Sequence, residues 1–136
     1  MLIAVMGFEK MEQSIKACEV AGIRVLAFYV FGLLTDTVES IAETIEYAKK
    51  LNTFGAKFHI ATPFPGTGFY DEVESLIFEK NWEQFDSCTP VLSYKNFSGE
   101  ELLALKEKAY TTYYFRSSYW IKHFRHLAKI GILRRS

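Results

Sequence analysis

Hydrophobic positions change period several times along the chain. From residue 9 onward Met11, Ile15, Cys18 and Ala21 recur at helical spacing, and Gly22 follows where a helix C-terminus takes a left-handed residue. A first helix is predicted over residues 9–21. Residues 25–31, V-L-A-F-Y-V-F, form a nearly unbroken apolar run ended by Gly32. Such a run is the pattern of a parallel strand buried on both faces. Asp36 and Glu39 have capping-box spacing, and Ile41, Ile45, Ala48 and Leu51 supply the stripe of a second helix, released at residues 52–55. Residues 56–62 return to a period of two, with Phe58 and Ile60 on one face and Lys57, His59 and Ala61 on the other. A strand, a helix and a strand in this order predict a parallel pair with a right-handed crossover.

After the second strand comes T-P-F-P-G-T-G, a loop in which Pro63 and Pro65 fix φ and Gly66 and Gly68 permit sharp bends. Open α/β sheets and barrels place ligands on loops at the carboxyl ends of parallel strands. A third helix is predicted over residues 69–79, with Val73 and Leu76 or Ile77 inward. Residues 82–94 lack a helical stripe and read as an irregular wrap held by Trp82, Phe85, Val91 and Leu92. Ser98 and Glu101 form a second capping box, opening a helix with Leu102, Leu105, Ala109 and Tyr113 near one face. A bend at Ser117-Ser118 leads to residues 119–128, apolar at Trp120, Phe124 and Leu127, and residues 1–8 fit either a short strand or a helical turn, the turn being preferred. Two strands apolar on both faces need neighbours along their edges. The expectation is an α/β chain holding only part of a sheet, its other strands coming from another chain or an upstream portion.

Composition narrows the class. The chain has 136 residues, 49% hydrophobic and 16% aromatic, which supports a packed core rather than disorder. Sixteen basic residues balance sixteen acidic ones, so the whole chain lacks the electrostatic footprint of a nucleic-acid binder. The distribution is uneven: Glu107 is the last acidic residue, and Arg116, Lys122, Arg125, Lys129, Arg134 and Arg135 follow it. No apolar run approaches the roughly 18 residues that span a bilayer, and the first six residues lack the charged start of a signal peptide. Cys18 and Cys88 stand seventy positions apart without metal-site spacing, which suits a reducing compartment. A cytoplasmic location is expected.

Several segments together carry a family resemblance. Residues 21–33, A-G-I-R-V-L-A-F-Y-V-F-G-L, then T-V-E-S at 37–40, T-P-F-P-G-T at 62–67, F-S-G-E-E-L at 97–102, Ala109-Tyr110 and Tyr114-Phe-Arg116 resemble the carboxyl-terminal half of radical S-adenosylmethionine enzymes, in particular those with an upstream cobalamin-binding domain. The T-P-F-P-G-T loop is the most specific part. Leu34-Thr35 stands where the family usually has Pro-Gly, and Arg116-Ser117 where it has Arg-Pro. The resemblance implies an incomplete (partial) β/α barrel, residues 1–80 being its carboxyl-terminal portion with the strands at Val25 and Ala56 as the last two of six. Residues 81–136 then form an irregular wrap and a helical carboxyl-terminal extension. It implies Gly32, Ala61, Thr62, Pro63 and Phe64 as partial contacts to S-adenosylmethionine. The three-cysteine motif for the iron-sulfur cluster, and cobalamin, belong by the same resemblance to the missing upstream part. Cluster ligation needs several converging thiolates. This chain alone is therefore expected to be inactive, with neither catalytic nor metal-binding residues of its own, and to need the missing N-terminal half or another subunit.

Other readings stand beside that one. Pro63 and Pro65 also serve simply to turn the chain. Gly66-Thr67-Gly68 lacks both the G-x-G-x-x-G pattern and the Walker lysine. His59 is the only histidine on a predicted strand; it reads either as a proton donor or acceptor facing a barrel interior or as a hydrogen-bonded structural residue. Tyr110, Tyr113, Tyr114, Phe115, Tyr119 and Trp120 read as core packing or as a hydrophobic substrate surface. Two alternative function classes remain: a non-catalytic module that keeps the cofactor-facing loop, and a peripheral element whose basic, aromatic end makes weak membrane-surface contact. Self-association is a further expectation.

Overall fold

The computed structural model describes residues 8–133, with side-chain surroundings described as far as Ala128. The turn expected over residues 1–8 therefore lies, except for Phe8, outside the described residues. Five helices and two strands run in the order α1 (Phe8–Val20), β1 (Leu26–Phe31), α2 (Val38–Leu51), β2 (Gly55–Ile60), α3 (Gly68–Val73), α4 (Gly99–Tyr114) and α5 (Ser117–Leu133). β1 and β2 pair in parallel, with Leu26 opposite Gly55 and Phe31 opposite Ile60. The chain is an α/β protein with an open parallel sheet and a helical carboxyl-terminal part.

α1 ends where Gly22 adopts φ 80°, its amide donating to the Glu19 carbonyl at 3.0 Å while the Ile23 amide reaches Cys18 at 2.8 Å. The capping box of α2 sits one residue later than expected. Thr37 is the N-cap and exchanges hydrogen bonds with Ser40. Asp36 is instead buried, its Oδ2 accepting from the amides of Gly32 at 2.9 Å and Leu33 at 3.0 Å. A carboxylate with a nearer pair of orphan amides serves the loop after β1 in preference to the helix. α3 is also shorter than expected, giving way to a tighter turn at Glu74–Leu76 before Ile77 bridges antiparallel to Leu92. The Ser98–Glu101 box forms as the sequence indicates, with Glu101 N to Ser98 Oγ at 3.1 Å and Ser98 N to Glu101 Oε2 at 2.7 Å. The bend between the last helices falls at Phe115 and Arg116, just before Ser117.

Among the described residues helices cover one face of the sheet and leave the other open. Phe31, Ala56, Phe58 and Ile60 are buried against Ile41, Ile45 and Ala48 of α2 and Leu102, Ala109 and Tyr113 of α4. A second cluster, Val73, Phe85, Val91 and Leu92, anchors the wrap, and Leu34 packs on it. Trp82 does not join this anchor and stays exposed, its ring only touching Phe85 at 4.8 Å. The other sheet face is open, which corrects the expectation that β1 is buried on both sides: Leu26, Phe28 and Val30 are all exposed.

The two sheet edges differ as sharply as the two faces. Along β2 the groups pointing away from β1 are sealed by tyrosine hydroxyls from α4. Ala56 N donates to Tyr114 Oη at 3.0 Å, which donates back to Ala56 O at 2.6 Å. Phe58 N donates to Tyr110 Oη at 3.1 Å, which donates to Phe58 O at 3.3 Å. Ile60 N completes the row on Ser87 O at 2.9 Å. A phenol can both donate and accept, so one hydroxyl serves both main-chain groups of a residue. On β1, Val25 O and Phe31 O accept from Gly55 and Ala61, so the alternating ladder turns the amides and carbonyls of residues 26, 28 and 30 the other way. Among the described residues no strand pairs with that edge. The expectation that both edges lack partners is corrected at β2, whose outer main-chain groups are taken by Tyr114, Tyr110 and Ser87.

Candidate functional site

The loop after β2 starts as a continuation of the ladder. Ala61 is buried and donates to Phe31 O at 2.7 Å, which sets it beside Gly32 at the carboxyl ends of the two strands. Thr62 Oγ1 donates to Ile60 O at 3.2 Å, and Pro63 is fully buried. Phe64 is then exposed, opening a turn in which Thr67 N donates to Phe64 O at 3.2 Å and Gly66 has φ 84°. Proline at the first central position and a positive-φ glycine at the second are the signature of a type II turn. Thr67 also caps α3, its Oγ1 accepting from Tyr70 N at 3.2 Å. Turn and cap thus account for Pro65, Gly66 and Thr67. Thr62, Pro63 and Phe64 are left as the part of the loop that fronts the strand ends.

Gly32 sits at this junction for packing reasons as well. It has φ 86°, and a Cβ there would meet Leu102 Cδ2 at 3.0 Å and Tyr94 Cε1 at 3.2 Å. The missing side chain faces α4 and Tyr94, so any ligand contact by Gly32 is through its main chain. The structure brings Gly32, Ala61 and Thr62 together through the strand register and hangs Phe64 at the rim.

On the open sheet face, Phe28 and His59 stack with ring centroids 5.7 Å apart and planes 13° apart, and Lys57 Nζ lies 6.0 Å from the Phe28 centroid. His59 Nε2 is buried and finds no hydrogen-bond partner among the described residues. Phe28 and Val30 are members of this face that the sequence pattern concealed. The polar and apolar alternation of β2, with Lys57 and His59 outward, was the available signal that one face is open.

Beside the end of β1 a cleft of about 460 Å³ is lined by Leu33, Leu34, Asp36, Leu76, Tyr94 and Phe97, among others. Leu34 lines this cleft and also packs on the second cluster. The Tyr94 hydroxyl is buried without a partner among the described residues, and burial pushes its pKa up to about 12. Burial also raises Tyr29 and Tyr113. A tyrosine raised above its unfolded value of about 10 contributes stability that is full below pH 10 and lost as pH climbs toward the folded value. Urea midpoints should accordingly fall between pH 9 and 11.5. Tyr94→Phe should flatten that fall while leaving stability at pH 7 unchanged or slightly higher, because the hydroxyl it removes has no partner to lose. An identical pH profile in the variant would remove Tyr94 from the explanation.

Arg116 is structural in this fold. Its Nε donates to Tyr113 O at 2.9 Å and its Nη2 to Asn52 Oδ1 at 2.8 Å, Nη1 reaches Lys49 O, and the guanidinium lies 4.3 Å from the Tyr113 centroid. Lys122 adds a bond to Asn52 O. Cations at the C-terminus of α2 satisfy its last carbonyls and suit the helix dipole. Cys18 lies half-buried on α1 and Cys88 exposed in the wrap, and among the described residues no three His, Cys, Asp or Glu side chains converge as metal ligands.

No family model matches the chain. It is 36% identical over 116 residues to an uncharacterized methyltransferase of Pyrococcus horikoshii, covering 82% of this chain and 25% of that protein. It is 34% identical over 86 residues to the bacteriochlorophyllide d C-8(2)-methyltransferase of Chlorobaculum tepidum, covering 62% and 19%. The bacteriochlorophyllide d C-12(1)-methyltransferase of the same organism is 26% identical over 81 residues, covering 60% and 18%. The chain thus spans a quarter or less of the length of these curated relatives, and the relatives are methyltransferases.

Proposed function

We propose that this chain is the carboxyl-terminal part of a radical S-adenosylmethionine methyltransferase of the type with an upstream cobalamin-binding domain, supplying part of the cofactor and substrate wall but not the iron-sulfur cluster. One observation carries the reading: a parallel pair sealed by tyrosines along β2 but open along β1 and on one face ends in the T-P-F-P-G-T loop. A sheet with one finished edge grows only from the other, so the partner is a polypeptide that adds parallel strands beside Leu26, Phe28 and Val30. Helices on a single face are what a partial barrel requires, with Phe28, Val30, Lys57 and His59 turned to its interior.

The strand ends fit the adenosine side of the cofactor. Gly32, Ala61 and Thr62 bring main chain close to one point, Pro63 fixes the exit, and the exposed Phe64 ring offers an apolar surface to a base. S-adenosylmethionine, when bound, supplies the sulfonium-held methyl and adenosyl groups; this chain positions and shields. The residues do not fit an iron-sulfur cluster, since Cys18 and Cys88 belong to separate elements.

The test is a chimera in which this chain replaces the matching segment of the Pyrococcus methyltransferase. Calorimetry should detect S-adenosylmethionine binding, and Gly66→Val should weaken it at least tenfold, by distorting the turn that holds Phe64. A Cβ at Gly66 meets no atom within 4 Å, so the fold itself should lose only the positive-φ strain, about 1–2 kcal/mol. Unchanged affinity in the variant would leave the loop as a turn and nothing more.

A further inference from the structure

α5 presents an apolar surface that the rest of the described residues leave uncovered. Trp120, Phe124 and Leu127 follow one another at spacings of four and three along a single stripe, Ile121 flanks it, and all four are more than half exposed. Phe115, at the entry to the helix, is more exposed still. The opposite flank holds the helix to the body: Tyr119 stacks on His123 at 4.0 Å, His123 lies 4.5 Å from Phe54, and Lys122 binds Glu19 and the Asn52 carbonyl. The stripe is therefore fixed outward and is not waiting to fold onto the core. A contiguous set of large exposed apolar side chains marks a surface that something else covers.

Charge says what covers it. No acidic residue follows Glu107, whereas Arg116, Lys122, Arg125, Lys129, Arg134 and Arg135 do. Arg116 and Lys122 are engaged at the end of α2, but Arg125 is exposed, one residue from Phe124 and one turn from Ile121. Glu19 is paired with Lys122 on the opposite flank, and an aromatic and aliphatic stripe on a segment whose own sequence carries cations and no acidic residue suits a surface that is itself anionic and apolar beneath, which is a bilayer bearing acidic lipids. A protein partner of ordinary mixed charge gains nothing from so one-sided a distribution. Among the described residues no helix is long and apolar enough to cross a membrane. We propose that α5 is a membrane-surface element that inserts Trp120, Phe124 and Leu127 into the interface of an anionic bilayer, with Arg125 on the lipid headgroups.

The chain contains two tryptophans, Trp82 and Trp120, and Trp82 is exposed, so Trp82→Phe leaves Trp120 as a reporter on the stripe itself. With vesicles of phosphatidylglycerol and phosphatidylcholine at low salt, Trp120 emission should shift to the blue and the chain should co-sediment. Pure phosphatidylcholine should bind at least tenfold more weakly, and raising the salt to 0.5 M should remove most of the difference. Phe124→Ser with Leu127→Ser should weaken binding at least tenfold without lowering the thermal midpoint, because both side chains are exposed in the folded chain. Arg125→Glu should weaken binding to the anionic vesicles alone. Absence of a blue shift on anionic vesicles overturns the proposal, as does equal binding to both lipids. A blue shift that depends on protein concentration without lipid assigns the stripe to a second copy and overturns it. So does emission already blue in the chimera before vesicles are added, which assigns the stripe to another polypeptide segment.

Discussion

Phe58→Ala is expected to lower the stability of the chain by about 3–5 kcal/mol, the range for removing a buried aromatic ring. Phe58 is fully buried on β2, and its ring lies 5.3 Å from Tyr29, 5.6 Å from Phe31, 5.2 Å from Tyr110 and 6.1 Å from Tyr113, measured between centroids. The loss should fall in the upper half of that range. A cavity closes when a neighbouring element moves in, but Tyr110 is held by the main chain of Phe58 itself and Tyr113 by the Thr53 carbonyl at 2.8 Å. With α4 pinned at those points, the void persists and its cost is added to the lost transfer energy. Phe28→Ala is the matched control: same ring, same sheet, open face. It should cost less than about 1 kcal/mol, as surface changes do. Urea unfolding followed by circular dichroism compares the two directly, and equal losses would show that the Phe28 face is covered like the Phe58 face.

What the sequence made legible was the part of the fold written in local periods. The strand positions, the Gly22 terminus, the Ser98–Glu101 box and the stripe from Leu102 to Tyr113 all depend on residues within a turn or two of one another. Three features depended on competition or on distance. Asp36 was read as the cap of α2, but its carboxylate is taken by the amides of Gly32 and Leu33, which no spacing rule weighs, and Thr37 caps the helix instead. β1 is apolar on both faces although only one is covered, so its composition reports what the strand is built to meet and not what covers it here. Tyr110 and Tyr114 looked like helical aromatics packing in a core, and their rings do pack there. Their hydroxyls meet main-chain groups more than fifty residues away, a pairing that one sequence cannot reveal. The candidate site was legible to the same degree. Proline and glycine announced the turn at residues 64–67, whereas the tight approach of Leu102 and Tyr94 to Gly32 appears only once α4 is in place.

Tyr110→Phe combined with Tyr114→Phe should be the most damaging change of two atoms in this molecule. Each substitution keeps a ring of nearly the same shape in the same contacts, so the packing of α4 on β2 is preserved and the hydroxyl effect is isolated. Without the hydroxyls, the N–H and C=O of Ala56 and of Phe58 all lose their partners on a covered strand edge. Leaving a buried polar group unsatisfied costs about 1–3 kcal/mol, and the two amides left without an acceptor alone put the double variant about 2–6 kcal/mol below the original chain. The single variants should each show roughly half of that, with Tyr114→Phe the larger, since its bonds of 3.0 and 2.6 Å are shorter than the 3.1 and 3.3 Å of Tyr110. The edge itself should also change character. Unpaired main-chain groups in a row are a template for a further strand, so sedimentation of the double variant should show more self-association than the original at equal concentration. If α4 instead shifts enough to admit water along β2, the main-chain groups are satisfied again and the double variant would unfold within about 0.5 kcal/mol of the original. That outcome would mean that the tyrosines decorate the edge without closing it, and that new strands have both sides of the sheet open to them.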